Sequence, residues 1–284
     1  MDKHTFYMGN EFGAYEYLGA HISERGVTFR TYAPNALKVS VIGDFNDWTP
    51  EPMRRLGDDG NFFEITLRDA RPGMRYKYRI YRQDGRFLDH CDPYGFGMEP
   101  RPNTASIIRD LSKYKFGDSS WMNARTDRKS EPLNIYEIHL GSWRTKADDG
   151  HKWYTYSEIA DELIGYVKRS GYNYIEFMPL SEHPCDESWG YQITGFFAPT
   201  SRYGTAAELM ELVDKCHQND IGVIMDFVPV HFAVDDYGLA DYDGTALYEY
   251  PEYDVGYSEW GKQELYPFSR RSQELLEVGG VLLA

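Results

Sequence analysis

An apolar run that ends in a carboxylate constrains this chain more than any other stretch. Val223 to Met225 follow a glycine, which is typical of a strand buried on both faces of a parallel sheet. Asp226 comes next, and a carboxylate there is costly unless it is hydrogen-bonded or takes part in chemistry. Pro229 cannot donate to a strand ladder, so the strand ends near it, and His231 follows. A carboxylate and an imidazole at the carboxyl end of a parallel strand are typical of the active site of an α/β barrel.

Two helices are predicted before this strand, and each begins with a capping box. Residues 155–158 read Thr-Tyr-Ser-Glu and residues 205–208 read Thr-Ala-Ala-Glu, which is the signature of a helix start. Strands are predicted over 132–139, 174–180 and 222–230, so strands and helices alternate. That order implies right-handed parallel crossovers and fits either an open doubly wound sheet or the first three strands of a (β/α)8 barrel. No glycine-rich phosphate loop follows the first strand, which weakens the interpretation as a nucleotide-binding sheet.

The amino-terminal half alternates between apolar and polar residues with a period of two. The alternating segments are 26–33, 38–43, 61–67 and 76–81. Short strands separated by frequent turn residues predict an all-β, immunoglobulin-like sandwich, which we place at residues 17–110. A lead-in at 1–16 precedes the sandwich, and a polar, charged linker at 111–131 follows it.

Charge and composition exclude several classes of function. The formal net charge is −15, which argues against nucleic acid as a partner because phosphate binding needs basic patches. No apolar run reaches the roughly 18 residues of a membrane span, and the amino terminus lacks the order of a signal peptide. Three cysteines without CxxC spacing predict a cytoplasmic protein without disulfides or a zinc site, and we expect neither metal nor cofactor. Aromatic residues make up 16% of the chain, and composition favours core filling over sugar stacking for them.

Motifs within the sandwich resemble a known binding module. Residues 43–48 read Gly-Asp-Phe-Asn-Asp-Trp after a predicted strand, and residues 92–95 read Asp-Pro-Tyr-Gly. Both are similar to the family 48 carbohydrate-binding module, which implies an α-glucan ligand. The opening, from 6 to 21, is similar to the lead-in of glucan-branching enzymes. Trp48 is then a possible sugar platform, with a half-buried core residue as the alternative.

Several sequence segments in the second half resemble the catalytic barrel of glycoside hydrolase family 13. Residues 136–143 are similar to its first barrel strand, residues 176–184 to its second, and residues 226–232 to its first conserved region. Residues 188–199 resemble the loop that branching enzymes carry there. The resemblance implies a multi-domain chain in which the sandwich is followed, over 132–261, by about three β/α units of an incomplete (β/α)8 TIM barrel.

The resemblance also implies an activity and a set of glucan contacts. Branching enzymes of this family cut an α-1,4 bond and move the freed chain to a 6-hydroxyl with retention. By resemblance, Tyr191 stacks on the cleaved sugar, His231 hydrogen-bonds it, and Asp226 holds an arginine of the fourth barrel strand. Gln192 is a further possible contact. The structural alternatives are a loop anchor for Tyr191, a cap of a strand-end carbonyl for His231, and a buried carboxylate for Asp226.

Four other titratable residues, two near strand ends and two within strands, receive no catalytic role. His139 and His183 are better explained as hydrogen-bonding structural residues. Glu137 and Glu176 lie within strands and would be costly if they were buried without a partner.

The catalytic carboxylates of the family are not expected in this chain. Retention needs a nucleophile and an acid/base carboxyl about 5–5.5 Å apart. In the family they follow the fourth and fifth barrel strands, and the nucleophile's Gly-x-Arg-x-Asp pattern is found nowhere in the sequence. We therefore expect a chain that is inactive by itself. A non-catalytic α-glucan-binding protein and a trehalose-releasing hydrolase of the same family are the alternatives, and the loop at 188–199 favours branching over the hydrolase.

The last segment, 262–284, departs from the family's pattern. Back-translation of 271–284 with one base slipped allows a helical, branching-enzyme-like sequence, so we expect a frameshift that truncated a longer gene. Three strands cannot close a barrel, so we expect Val223 and Met225 to be exposed at an unpaired edge. We further expect residues 132–284 to be unstable alone, the sandwich to fold by itself, and the full-length protein to be a monomer.

Overall fold

The computed structural model describes residues 1–57, 59–125, 130–146, 153–228, 231–251 and 263–264. Two antiparallel sheets form the amino-terminal part. Their strands are β1 (Gly19–Ser23), β2 (Gly26–Tyr32), β3 (Lys38–Gly43), β4 (Glu51–Pro52), β5 (Arg54–Leu56), β6 (Phe62–Leu67), β7 (Arg75–Tyr81), β8 (Phe87–His90) and β9 (Ser106–Ile107). One sheet has the order β1-β2-β6-β5, and the other has the order β4-β3-β7-β8, with β9 paired to β7.

The two sheets enclose an apolar core, as the alternation of side chains requires. Phe29 and Phe62 from the first sheet and Val39 and Tyr78 from the second are completely buried. The short helix α1 (Lys3–Tyr7) packs at one end of this core through Phe6. These facing sheets are the sandwich that the sequence predicts.

The second part of the chain is a parallel sheet covered by helices. Its strands β10 (Ile135–Ile138), β11 (Tyr174–Phe177) and β14 (Gly222–Met225) pair in that order. The one-turn helix α3 (Leu140–Trp143) follows β10. Helices α4 (Tyr156–Arg169) and α5 (Ala206–Gln218) begin at the predicted capping boxes, both of which are formed. This β-α-β-α-β unit is the predicted first part of a barrel.

The exposure predicted for the third barrel strand is wrong. Val223 and Met225 are partly buried, because both side chains point to the face of the sheet on which α4 and α5 pack. Alternation along β14 turns Ile224 to the opposite face, where Glu137 and Glu176 occupy the same register on β10 and β11. The face of the sheet opposite α4 and α5 therefore carries Glu137, Glu176 and Ile224, which would point to the inside of a closed barrel.

Part of the predicted linker packs against α5. Helix α2 (Ser119–Ala124) lies within it, and its Trp121 ring stacks on His217 with 5.1 Å between the centroids. The Asp118 carboxylate lies 2.7 Å from Nδ1 of the same histidine. The Tyr114 hydroxyl donates to Asp214, also on α5, at 2.8 Å. Residues 114–121 of the predicted linker are therefore held against one helix by hydrogen bonds and ring stacking.

Two short strands lie in the long loop between β11 and α5. They are β12 (Ser181–Glu182) and β13 (Gly195–Pro199), and they pair antiparallel. The segment at 188–199 that resembles the branching enzymes includes β13, and its Tyr191 hydrogen-bonds to Asp226, which directly follows β14.

Residues 237–249, called the strap below, join the barrel part to the sandwich. The Tyr242 hydroxyl lies 2.7 Å from Oγ1 of Thr31, and the Asp243 carboxylate accepts the backbone N–H of Asn35 at 2.8 Å. Apolar side chains of the strap belong to the same core as the sandwich strands: Leu239, Tyr242, Leu247 and Tyr248. The core of the sandwich therefore includes side chains that lie well beyond residue 110 in the sequence.

The carboxyl-terminal tail is described only in part. Strand β15 (His231–Phe232) pairs antiparallel with β16 (Gln263–Glu264). The rest of the atypical tail at 262–284 lies outside the described residues, as do 252–261 and the predicted strand end at 229–230. Among the helices of the described ranges, none has the length and apolar character that crossing a bilayer requires.

Candidate functional site

The carboxyl end of β14 brings Tyr191 and Asp226 together. The Asp226 N–H donates to the Phe177 carbonyl at 2.9 Å, which extends the ladder between β11 and β14 by one residue. The Asp226 carboxylate accepts the phenolic hydrogen of Tyr191 at 2.7 Å. Burial, this hydrogen bond and the negative charge of Asp226 raise the pKa of Tyr191 to about 12. Tyr191 therefore stays neutral at physiological pH, with its ring oriented by the carboxylate.

Gln192 and His231 lie at the same end of the sheet. Ile193 and Phe232, one residue further along each segment, form a parallel bridge. The Ala233 N–H donates to the Ile193 carbonyl at 3.0 Å, which fixes the register of the two segments. Both Gln192 and His231 are partly exposed. Of the five predicted glucan contacts, the structure thus groups four near the ends of β11 and β14.

Trp48 lies apart from this group, on the turn after β3 of the sandwich. Its indole N–H donates to the Asp44 carboxylate at 3.3 Å, and the Arg75 guanidinium lies 5.9 Å from the ring centroid. The backbone of Trp48 is left-handed, with a φ of 58°. Phe45 packs on the apolar core, whereas these contacts of Trp48 are polar and lie at the surface of the sandwich.

Two histidines near the strand ends are held by hydrogen bonds. Nδ1 of His139 lies 2.9 Å from the Ser142 hydroxyl, and Nδ1 of His183 lies 2.8 Å from the Ser181 carbonyl. Burial, and after it the positive charge of Arg202, lowers the pKa of His183 to about 4. His183 is therefore neutral at pH 7 and suited to a structural role.

A buried ion pair that the sequence did not reveal supports the site loop. The Glu182 carboxylate accepts from the Ser201 N–H at 2.7 Å, from the Ser201 hydroxyl at 2.6 Å and from Arg202 at 2.8 Å. Burial raises the pKa of Glu182, and the hydrogen bonds from Ser201 and the charge of Arg202 oppose that rise. Glu182 ends the short strand β12 and Arg202 lies twenty residues later, in the turn after β13, so no local periodic pattern in the sequence pairs them.

The charge around Tyr191 indicates the kind of ligand that the site can accept. Besides Asp226, the carboxylates of Glu137 and Glu176 are near enough for their negative charges to raise the pKa of Tyr191. Carboxylates accept hydrogen bonds from hydroxyl groups and repel anions. A neutral polyhydroxyl ligand with a flat ring face therefore suits this site, and a phosphorylated ligand does not.

Comparison with known proteins identifies two domain families in the chain. Residues 17–95 match carbohydrate-binding module 48, the isoamylase N-terminal domain, and residues 141–243 match the α-amylase catalytic domain. Over 92% of its length the chain is 46% identical to the 1,4-α-glucan branching enzyme of Thermosynechococcus vestitus. It is 44% identical to that of Trichodesmium erythraeum over the same share. The chain spans 38% and 37% of the lengths of these two curated relatives.

Solved structures with the same fold are more distant in sequence. A pullulanase from Anoxybacillus superposes with a TM-score of 0.72 at 19% identity, over 93% of this chain and 42% of that one. A putative α-amylase from Salmonella typhimurium superposes with a TM-score of 0.71 at 22% identity, over 92% of this chain and 41% of that one. At these identities the likeness shows the fold, a sandwich followed by the first part of an amylase-type barrel.

Proposed function

Because the chain belongs to the α-amylase family, as a relative of the 1,4-α-glucan branching enzymes, we propose that it forms the glucan-binding front portion of such an enzyme. The reaction cuts an α-1,4 bond of a donor chain and joins the freed chain to a 6-hydroxyl with retention. The observation that carries the proposal is the bonded pair of Tyr191 and Asp226 at the end of β14. This pair lies in a chain that is 46% identical, over 92% of its length, to the branching enzyme of Thermosynechococcus vestitus, and that covers 38% of that enzyme.

The residues of this chain bind and orient the donor. The ring of Tyr191 offers a flat apolar surface for the sugar whose bond is cut, and its hydrogen bond to Asp226 fixes the orientation of that surface. Gln192 follows Tyr191, and His231 lies on the neighbouring segment, since Ile193 and Phe232 form a backbone bridge. Both side chains provide hydrogen-bonding groups for sugar hydroxyls. A fixed aromatic platform with a few polar groups holds the donor in the orientation that the reaction needs. Orientation of this kind lowers the activation barrier.

The nucleophile and the acid/base are proposed to be contributed by sequence beyond these 284 residues. A retaining reaction needs two carboxyl groups about 5–5.5 Å apart. The Gly-x-Arg-x-Asp pattern of the nucleophile is absent from the chain, which spans 38% of its relative's length. Sequencing the gene from codon 250 onward tests this step. A reading frame that continues into that pattern supports it, and one without any related sequence contradicts it.

Glucan binding by the chain itself is tested by native electrophoresis in gels that contain amylopectin, with dextran gels as the control for linkage. We expect retardation by amylopectin only. Iodine staining of amylose, with a reducing-sugar assay beside it, separates the activities. Branching lowers the absorbance without new reducing ends, hydrolysis creates reducing ends, and binding does neither. Equal mobility of the protein in all gels would reject the proposal.

A non-catalytic α-glucan-binding protein is the second candidate, and the missing nucleophile pattern is the observation that favours it. In that function the sandwich, with Trp48 as a further contact, and the Tyr191 site hold a glucan without cutting it. A cytoplasmic location is proposed in both cases. It is supported by the three free thiols, of which Cys91 and Cys216 are buried.

A further inference from the structure

Trp189 is a large apolar side chain that the fold keeps exposed. Its exposed fraction is 55%, and its backbone is left-handed with a φ of 54°. That region is a genuine outlier for a bulky residue and is energetically unfavourable. Strain of this kind persists only where the surrounding structure requires it, so the contacts of this turn show what fixes the indole.

The turn is fixed on both sides of Trp189. Gly190 has a φ of 91°, and a Cβ there would lie 2.5 Å from the Pro179 carbonyl, so the turn packs directly on the backbone two residues after β11. The Trp189 N–H donates to the Asp186 carbonyl at 3.0 Å. The Asp186 carboxylate accepts from Nε of the buried Arg202 at 2.7 Å. The backbone that carries the indole is thus held by hydrogen bonds and packing within the protein.

The indole forms one wall of a cleft of about 340 Å³, called the Trp189 cleft below. Trp189 stacks on His139 with 5.7 Å between the ring centroids and 27° between the planes. Trp153 and Tyr203 also line the cleft and contact each other edge to face. The hydroxyl of Ser142 and the carboxylate of Glu187 line it as well. Flat aromatic walls with a few hydrogen-bonding groups are suited to a sugar ring.

We propose that the Trp189 cleft is a second glucan subsite, which receives another glucosyl unit of the donor chain held at Tyr191. The inference rests on the proposed function. Trp189 and Tyr191 are two residues apart, so their Cα atoms are separated by at most about 7 Å. One glucan chain can therefore contact both residues. The cleft selects for donor length, because a short maltooligosaccharide fills the Tyr191 site alone, whereas a longer one also stacks on Trp189.

The test uses the 284-residue chain labelled with 5-fluorotryptophan, which gives one fluorine signal for each of its six tryptophans. The signal of Trp189 is assigned with the Trp189→Phe variant. We expect maltoheptaose to shift the Trp189 and Trp153 signals and an isomaltooligosaccharide of equal length to leave them in place. If maltoheptaose shifts other signals but neither of these two, the cleft is not a subsite and the proposed function stands. If it shifts no signal and does not bind, both proposals fail.

Variants measure the contribution of the indole by calorimetry. Trp189→Ala should weaken maltoheptaose binding about tenfold and maltose binding less than twofold, since stacking is worth roughly 1.4 kcal/mol. Trp189→Phe keeps an aromatic face and should lie between. Phe116→Ala is the matched control, because Phe116 is 51% exposed and does not line the cleft. Equal affinity of the wild type and Trp189→Ala for maltoheptaose overturns the inference, and the fluorine spectra decide the question if Trp189→Ala does not fold.

Discussion

Nη1 of Arg202 lies 2.8 Å from Oε1 of Glu182, and only 2% and 5% of the two side chains are exposed. The same guanidinium donates from Nε to Asp186, the residue that anchors the turn before Trp189. One buried arginine therefore connects β12 to the loop that carries Trp189 and Tyr191. Interactions of this kind are expensive to break, because the remaining charge stays buried without its partner.

Replacing this arginine should destabilise the chain strongly. We expect Arg202→Ala to lower the free energy of unfolding by about 3–5 kcal/mol, since it leaves the Glu182 carboxylate buried and unpaired. Urea denaturation followed by circular dichroism measures the change. Arg79→Ala is the control, because Arg79 pairs with Asp89 at 2.7 Å but both side chains are more than 20% exposed. That pair should contribute about 0–1 kcal/mol, and a similar loss in both variants would contradict the assignment.

Two glycines with the same backbone angle test how closely the site loop packs. Gly190 and Gly73 both have a φ of 91°, but a Cβ at Gly190 would meet the Pro179 carbonyl at 2.5 Å, whereas Gly73 has nothing within 4 Å. Gly73→Ala should cost about 1–2 kcal/mol of unfolding free energy from the left-handed backbone alone. Gly190→Ala should cost measurably more, and it should also change the near-ultraviolet circular dichroism of the aromatic residues. Equal losses of unfolding free energy in the two variants would mean that crowding against Pro179 does not destabilise Gly190→Ala.

Two variants of Tyr191 separate the role of its ring from that of its hydroxyl. Tyr191→Phe keeps the stacking face and removes the hydrogen bond to Asp226, so we expect maltoheptaose affinity to fall by no more than about threefold. Tyr191→Ala removes the ring and should weaken binding about tenfold or more. Calorimetry measures both. A loss in Tyr191→Phe as large as that in Tyr191→Ala would assign the effect to the hydroxyl and contradict the stacking role.

The bond between the strap and the sandwich can be measured in a double-mutant cycle. Tyr242→Phe leaves the buried hydroxyl of Thr31 without the partner that lies 2.7 Å away, so unfolding free energy should fall by about 1–3 kcal/mol. Adding Thr31→Val removes the stranded hydroxyl and should recover most of the loss. Thermal or urea unfolding gives each value. Additive losses in the double variant would show that the two hydroxyls do not interact.

His90 makes the attachment of the strap sensitive to acid. Its Nδ1 lies 2.8 Å from the Gly238 carbonyl, and burial lowers the pKa of His90 to about 4. In the unfolded chain a histidine has a pKa of about 6.5, so as pH falls the unfolded state takes up the proton first. The contribution of His90 to stability is therefore complete above about pH 6.5 and is lost as pH falls toward 4. Relative to His90→Asn, which does not take up a proton, the wild type should lose about 1.4 kcal/mol of unfolding free energy per pH unit between about 6 and 4.5.

The comparison must be made between the two proteins at each pH, because buried carboxyls act in the opposite direction. Burial raises the pKa of Glu249 to about 7 and that of Asp92 to about 6. Their stabilising contributions are present at low pH and are lost as pH rises through these values. Both carboxyls are present in wild type and in His90→Asn, so their contributions cancel in the difference. Parallel profiles of the two proteins would show that His90 does not take up the proton on unfolding.

Local patterns predicted the regular elements because their causes lie within a few residues. The capping boxes at 155–158 and 205–208 open α4 and α5, and the alternation at 38–43 coincides with β3. The polar stretch predicted as a linker contains α2, because Trp121 stacks on His217, about a hundred residues later in the chain. Long-range pairing of this kind leaves no local periodicity to detect.

The candidate site was predictable only in part for the same reason. The apolar run before Asp226 marked a strand end, and the resemblance named Tyr191, but their hydrogen bond joins segments 35 residues apart. The sequence does not single out Trp189, because its exposure follows from a left-handed turn, which neither propensity nor hydrophobic spacing encodes. The roles of Tyr191, Gln192, Asp226, His231 and Trp48 in glucan binding stay predictions until binding is measured.

The strap has a consequence for how the protein is made. Its apolar side chains complete the core of a sandwich whose own strands end at Ile107. A ribosome adds about 5–20 residues per second, so synthesis from residue 107 to residue 249 takes on the order of ten seconds. During that interval the part of the sandwich core that the strap covers is open to water. If only the amino-terminal strands were moved into another enzyme, without the strap, that part of the core would stay exposed.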